Sequence, residues 1–393
     1  MTTLQIENQS LTRHPLGSFR ELGSIAWPLV FSLLFIYLLS LCDRFFLSQY
    51  SLQAFEASAS ASYLAHLFQI PCMKITSIAQ VFVGQYRGSQ QSEKIGEVIW
   101  QMIWFSLLTM VLTVPLSLLA GSYFFDQTSI KELGLSYFHC LLFTNFLFPL
   151  GAALTAFFTG QGRTRVASLA IAVTLIIHIG LDLLLIFGIR GVMPPLGILG
   201  AALATVISQA LYCLILFALF MRKKEQELYG TRKWQIRKHL MGNCLQLGMP
   251  RAMARLVTLA AWVAIVRILT RLGGDYLLVL SITGTFCIFF SCLNEGLGQS
   301  LITIISYIIG GGKKKQFFSA TKSAFIGLSY IMGILTIFLI LLPEKLLQVF
   351  YPQPISQASM AALIHSCYGL WLYFLFEGLS WIGLSILIAF RET

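Results

Sequence analysis

Asp182 and His178 stand four positions apart in a stretch that is otherwise apolar, IAVTLIIHIGLDLLLIFG over residues 171–188. On a helix that spacing puts the carboxylate and the imidazole on one face. Ionisable side chains are costly inside a bilayer, so such a pair marks a transport or coupling site. The plainer alternative is a buried hydrogen bond that holds two helices together. A second acid, Asp43, lies in the first apolar stretch and adds weight to the transport reading.

The elements that must position these groups are membrane helices. The 393 residues are 57% hydrophobic and only 11% charged, with a mean hydropathy of +0.78, which leaves too little polar surface for a soluble protein of this length. Apolar stretches longer than the roughly 20 residues of a spanning helix recur along the whole chain, and the alternation of a membrane β-barrel is absent. The polar start of the chain, through Glu21, contains no apolar core of a signal peptide. Ten spans are expected, at 24–47, 57–84, 98–120, 135–159, 166–188, 197–221, 248–270, 276–309, 323–342 and 359–390.

Basic residues alternate with these spans. Eighteen fall on one side, among them Arg87, Arg163, the run from Arg222 to Lys238, Lys313 to Lys315 and Arg391, against Lys131, Arg190, Arg271 and Lys345 on the other. The bias places both termini in the cytoplasm and accounts for the net charge of +11 without nucleic acid. Eight cysteines show no metal-binding spacing and read as small hydrophobes. No catalytic triad, paired-carboxylate spacing or phosphate-cradling glycine loop appears, so neither an enzyme nor a bound cofactor is expected.

The chain also repeats. Pro28 and Pro250 open the first and seventh spans 222 residues apart, and the same offset relates Gly88 to Gly310 at the ends of long spans. Six helices separate equivalent points, so the halves share one orientation about an axis along the membrane normal. The expected division is a tail at 1–23, a first lobe at 24–221, a basic linker at 222–247 and a second lobe at 248–393. Two such bundles with a cleft between them make a transporter architecture.

A series of phrases in order, IAWPLVFS at 25–32, VGQYRGS at 83–89, TGQGRTR at 159–165, LDLLLIFG at 181–188, LGAALATVIS at 199–208 and LGMP at 247–250, resembles the multidrug and toxic compound extrusion (MATE) transporters over nearly the whole chain. The resemblance implies an all-α membrane protein of two six-helix lobes that exports organic cations in exchange for sodium ions or protons. Carried over by position, it implies an ion-coupling set of Asp43, His178, Asp182 and Thr205, with Na⁺ held by Asp43 and Asp182 where sodium is the coupling ion. A desolvated carboxylate pair suits either ion. The family more often has asparagine at the position of His178, and imidazole is a poor ligand for sodium, which tilts the expectation towards protons.

Other positions depart from the family. A glutamate common in its seventh span is Thr258 here. Arg44, Lys74, Arg251, Arg255 and Arg267 lie within spans; the last three fit snorkelling, whereas Lys74 and Arg44 call for partners among Glu295, Glu377 and Asp43, or else line a cleft. A cationic cleft would favour an anionic substrate, so a flippase for anionic lipid-linked intermediates is the alternative function. Trp100 and Trp104, four apart, and the aromatics Trp371, Tyr373 and Trp381 suit an interfacial belt or stacking on a cation. The closing IAFRET at 388–393 matches the phrase after the fourth span, so the second bundle is expected to lack its last two helices. That expectation brings with it a homo-oligomer or a separate two-helix partner, or a remnant that does not transport.

Overall fold

The computed structural model describes residues 11–125, 130–189, 191–272, 275–350 and 357–391. The first ten residues of the expected tail, and Arg190, lie outside them. Fourteen helices run in order: α1 Phe19–Tyr50, α2 Leu52–Thr76, α3 Ala79–Gly88, α4 Ile95–Phe125, α5 Lys131–Phe143, α6 Leu147–Gly160, α7 Thr164–Phe187, α8 Ile198–Phe220, α9 Lys223–Tyr229, α10 Lys238–Leu272, α11 Asp275–Gly310, α12 Lys314–Thr336, α13 Pro343–Phe350 and α14 Gln357–Phe390. Among the described residues there is no strand beyond a single bridge between Ile189 and Met193.

Among the described residues, nine helical segments are long and apolar enough to cross a membrane, and the bent pair α5–α6 makes a tenth. The expected fourth span is therefore not one helix: its halves meet at 42°. At that break the backbone donors of Asn145, Leu147 and Phe148 reach back only three residues, to Leu142, Thr144 and Asn145, so the regular helical ladder lapses for a turn. The second span is likewise α2 followed by α3 in near-continuation, with Pro71 in the last turns of α2. A proline lacks the N–H that the helix interior requires.

At its start, α1 shows how local sequence sets a helix end. Ser18 caps it by accepting from the Glu21 N–H at 3.2 Å, while the Glu21 carboxylate reaches back to the Gly17 N–H at 2.6 Å, the reciprocal pattern of a capping box shifted by one residue. Gly17 holds φ +76° there, a conformation favouring glycine. Its carbonyl accepts from Ser319 at 3.1 Å and Ser323 at 2.8 Å of α12, which fastens the entry of the first helix to the second lobe.

One buried cluster fills the second lobe, running from Leu22 and Ile25 of α1 through Phe286, Leu301 and Ile305 of α11 to Phe374 and Ile382 of α14. Two fill the first: Phe82, Phe157, Phe158 and Phe220 near the basic loops, and Leu47, Ala57, Ala61 and Phe138 towards the other end. The stripe Ala54, Ala57, Ala61 and Ala65 on α2 is buried, and small side chains let a membrane helix pack close without a hydrophobic drive. α10 is the outlier: only 6% of its apolar window is buried, against 33% for α14. It leans chiefly on α2 of the first lobe rather than on α11.

The basic loops gather at one end. Arg163 pairs with Glu225 at 2.8 Å, Arg87 donates to the Gln161 carbonyl at 2.6 Å, and Gln85 donates to the Ala389 carbonyl at 2.8 Å. Here the repeat becomes visible in space. A side chain at Gly88 would strike the Tyr307 carbonyl, and one at Gly310 would strike the Gln85 carbonyl; the offset of 222 residues that relates Gly88 to Gly310 also relates Gln85 to Tyr307, so the two contacts are equivalent. The pseudo-twofold axis thus passes between α3 and α11 where they cross, backbone against backbone.

Candidate functional site

Three helices of the first lobe converge on the ionisable set. α7 carries His178 and Asp182 on one face, α1 brings Asp43, and α8 brings Thr205 and Ser208. Asp182 is fully buried, His178 is 1% and Asp43 8% exposed. His178 Nε2 lies 3.2 Å from Asp43 Oδ1 and 3.3 Å from Asp182 Oδ2. Its other nitrogen, Nδ1, is 3.1 Å from Ser208 Oγ, and the Thr205 hydroxyl donates to Asp43 Oδ2 at 3.1 Å. α7 is held against α1 nearby, where Ser168 donates to the Pro28 carbonyl.

The two carboxylates and the imidazole each offer an atom within 4.8 Å of the others. A single ring N–H cannot aim at two carboxylates at once, and Nε2, Asp43 Oδ1 and both oxygens of Asp182 have no aligned hydrogen bond among the described residues. Two carboxylates and one imidazole in a buried site carry two negative charges when fully deprotonated. Each added proton removes one unit of charge, and two protons make the set neutral, the form a low-dielectric surrounding favours. The arrangement can therefore take up and release protons with a large electrostatic stake in each. A small cation would find carboxylate oxygens of Asp43 and Asp182 and the Thr205 hydroxyl but also an imidazole facing them.

The remaining charges lie elsewhere. Lys74 on α2 and Glu295 on α11 form an ion pair across the lobes at 3.1 Å, and Arg251 and Arg255 of α10 lie within electrostatic reach of the same glutamate. These two arginines read from sequence as snorkelling side chains; α10, which carries them, packs chiefly on α2. Arg44 joins no such pair among the described residues; its guanidinium lies over the Tyr63 ring, 5.5 Å from the centroid. Glu377 accepts from Ser291 at 2.8 Å, Asn294 at 3.0 Å and Tyr373 at 3.4 Å. Thr258 donates to the Ala254 carbonyl one turn before it. The structure thus brings Asp43, His178, Asp182 and Thr205 together and keeps Lys74, Arg44, Glu295 and Glu377 apart from them. Ser208 was missed, since one serine in an apolar helix carries no signal; its place one turn beyond Thr205 is the only clue.

Two repeated bundles of membrane helices with a buried ionisable set in one of them define the class, a polytopic membrane transporter fold. Residues 28–184, most of the first lobe, match the MatE family model. Of its relatives, a probable multidrug resistance protein NorM of Thermotoga maritima is 24% identical over 344 residues, covering 85% of this chain and 73% of its own. The fold superposes on a MOP-superfamily transporter of Pyrococcus furiosus with TM-score 0.83 at 16% identity, over 100% of this chain and 85% of that one. A multidrug resistance MATE transporter in an outward-facing conformation gives TM-score 0.82, again at 16% identity, over 100% and 85%.

Proposed function

We propose that this chain exports small organic molecules across the cell membrane by alternating access of its two lobes, driven by protons exchanged at Asp43, His178 and Asp182. The observation that carries the coupling is His178 Nε2 standing 3.2 and 3.3 Å from two carboxylates in a buried site. Protonation there changes a buried charge, and a conformational equilibrium answers to buried charge. The likeness to relatives named for multidrug resistance supports export as the direction and a broad choice of cargo.

Ethidium efflux from proteoliposomes, with proton and sodium gradients imposed separately, tests this reading. Efflux is expected to follow the proton gradient and to ignore sodium at fixed pH. Efflux driven by sodium alone would overturn proton coupling. A second reading of the cargo, an anionic lipid-linked intermediate, is favoured by Lys74, Arg251 and Arg255 standing around a single Glu295. Under that reading ethidium is not moved by either gradient, and a pyrophosphate-linked lipid protects Lys74 from amine-reactive labelling.

A further inference from the structure

The basic linker between the lobes is a folded strap. Gly230, with φ +64°, turns the chain out of α9, and a side chain at Gly96 would strike the Gly230 carbonyl, so the strap starts flush against α4. Residues 231–237 then run along the first turns of α4. The indoles of Trp100 and Trp104, four apart on that helix, donate to the carbonyls of Thr231 at 2.6 Å and Trp234 at 2.8 Å. Gln101 both donates to the Gln235 carbonyl at 3.0 Å and accepts from the Arg237 N–H at 2.8 Å. Glu97 holds Lys233 at 3.3 Å and Arg237 at 3.2 Å. Its backbone is therefore fixed before any ligand arrives.

The fixed strap shapes an open cavity of about 380 Å³ lined by Arg232, Lys233, Trp234, Gln235 and Arg237. Three cations face it, and the carboxylate bound to two of them, Glu97, neutralises only one. The wider segment 222–238 holds seven basic residues against two acidic ones, and one of those two, Glu225, is taken by Arg163. The cavity opens where α4 and α10 begin, at the end of two membrane spans. Beside the cations, Trp234 and Ile236 are 61% and 60% exposed, a pairing of indole and aliphatic surface with positive charge that suits the headgroup level of a bilayer.

We propose that this cavity binds the phosphate headgroup of an anionic phospholipid, with Arg232, Lys233 and Arg237 on the phosphate and Trp234 and Ile236 against the upper acyl chains. Such a site lies outside the transport pathway and joins the lobe linker to the membrane surface. The strap connects α9 to α10, so a lipid held there fixes the point from which α10, the least packed of the long helices, enters the bilayer.

Native mass spectrometry of delipidated protein, titrated with dioleoyl phosphatidylglycerol or dioleoyl phosphatidylcholine, tests the site. The expected result is preferential retention of phosphatidylglycerol. Arg232→Gln removes a cation that takes no part in the Glu97 bridges and should lower that retention by about fivefold, the factor corresponding to one basic residue near an anionic surface. Arg232→Gln/Lys233→Gln/Arg237→Gln should abolish the preference, and if that variant fails to fold, Arg232→Gln alone carries the test. Lys314→Gln/Lys315→Gln removes two exposed charges from the first turn of α12 and should change nothing. Equal retention of the two lipids, an unchanged Arg232→Gln variant, or the same loss in the Lys314→Gln/Lys315→Gln control would overturn the proposal. Displacement of phosphatidylglycerol by inorganic phosphate at equal molarity would overturn it too, since the site would then be one for a soluble phosphate.

Discussion

At the scale of single residues, the buried set rests on sharing. Asp43 and Asp182 compete for one imidazole edge, so replacing either leaves His178 with a single permanent partner and removes the second exchangeable proton. Asp43→Asn and Asp182→Asn are each expected to reduce proton-driven efflux to the level of protein-free liposomes, with yield and thermal stability kept, because neutralising a buried carboxylate relieves desolvation. Normal transport by both variants in an active background would remove the set from the coupling mechanism. His178→Asn puts an amide where the imidazole titrates; the efflux–pH profile should flatten or sodium should begin to drive transport, and an unaltered profile would make His178 a structural hydrogen-bonding residue. The i, i+4 spacing of His178 and Asp182 was readable in the sequence because one helix fixes it. Asp43 stood out in the sequence as a second acid in an apolar stretch, but its meeting with His178 depends on packing of α1 on α7, which hydropathy does not encode, and only the resemblance to relatives grouped it with Thr205.

At the scale of elements, the crossing of α3 and α11 depends on the lack of side chains at Gly88 and Gly310. Gly88→Val should push the helices apart, since its Cβ would meet the Tyr307 carbonyl. A cysteine placed at Ser306, fully buried in this arrangement, should become reactive in that variant and stay unreactive without it; equal protection in both would show that the crossing does not close this end. The Lys74–Glu295 pair is another tie between lobes. Glu295→Gln leaves Lys74 without its carboxylate and should cost about 1–2 kcal/mol in a thermal or denaturant measurement, below the ~3–5 kcal/mol of a fully buried pair, because both side chains keep partial contact with solvent. The 222-residue offset announced that Gly88 and Gly310 are equivalent. That each packs against the helix carrying the other follows from the position of the axis, which a repeat in sequence leaves open. For a similar reason the bend between α5 and α6 was hidden: Thr144, Asn145 and Phe146 interrupt the apolar window too briefly to lower its average.

For the whole molecule, the gathering of the basic loops at one end fits alternation of the spans, and the basic bias predicts that this end faces the cytoplasm. Cysteines introduced at Lys224 and Lys315 in a cysteine-free background should react with an impermeant maleimide only after the cells are opened; reaction in intact cells at either position would reverse the orientation. Spans and repeat were legible because each is a pattern along the chain. The lean of α10 onto α2 was not, since an apolar helix is equally content with lipid or with either lobe as its neighbour.

The glycine crossing has a mechanical side. α11 contains 36 residues, which at 1.5 Å per residue is a rod about 54 Å long, and Gly310 sits at its very end. A rod pinned at one tip is a lever with its fulcrum at that tip. Tilting it by about 10° there would carry the opposite tip through roughly 9 Å, the width of a helix. Small rotations at a nearly stationary contact would then suffice to admit a molecule at the far side, and the same symmetry that makes the two glycines alike would share the swing between the lobes.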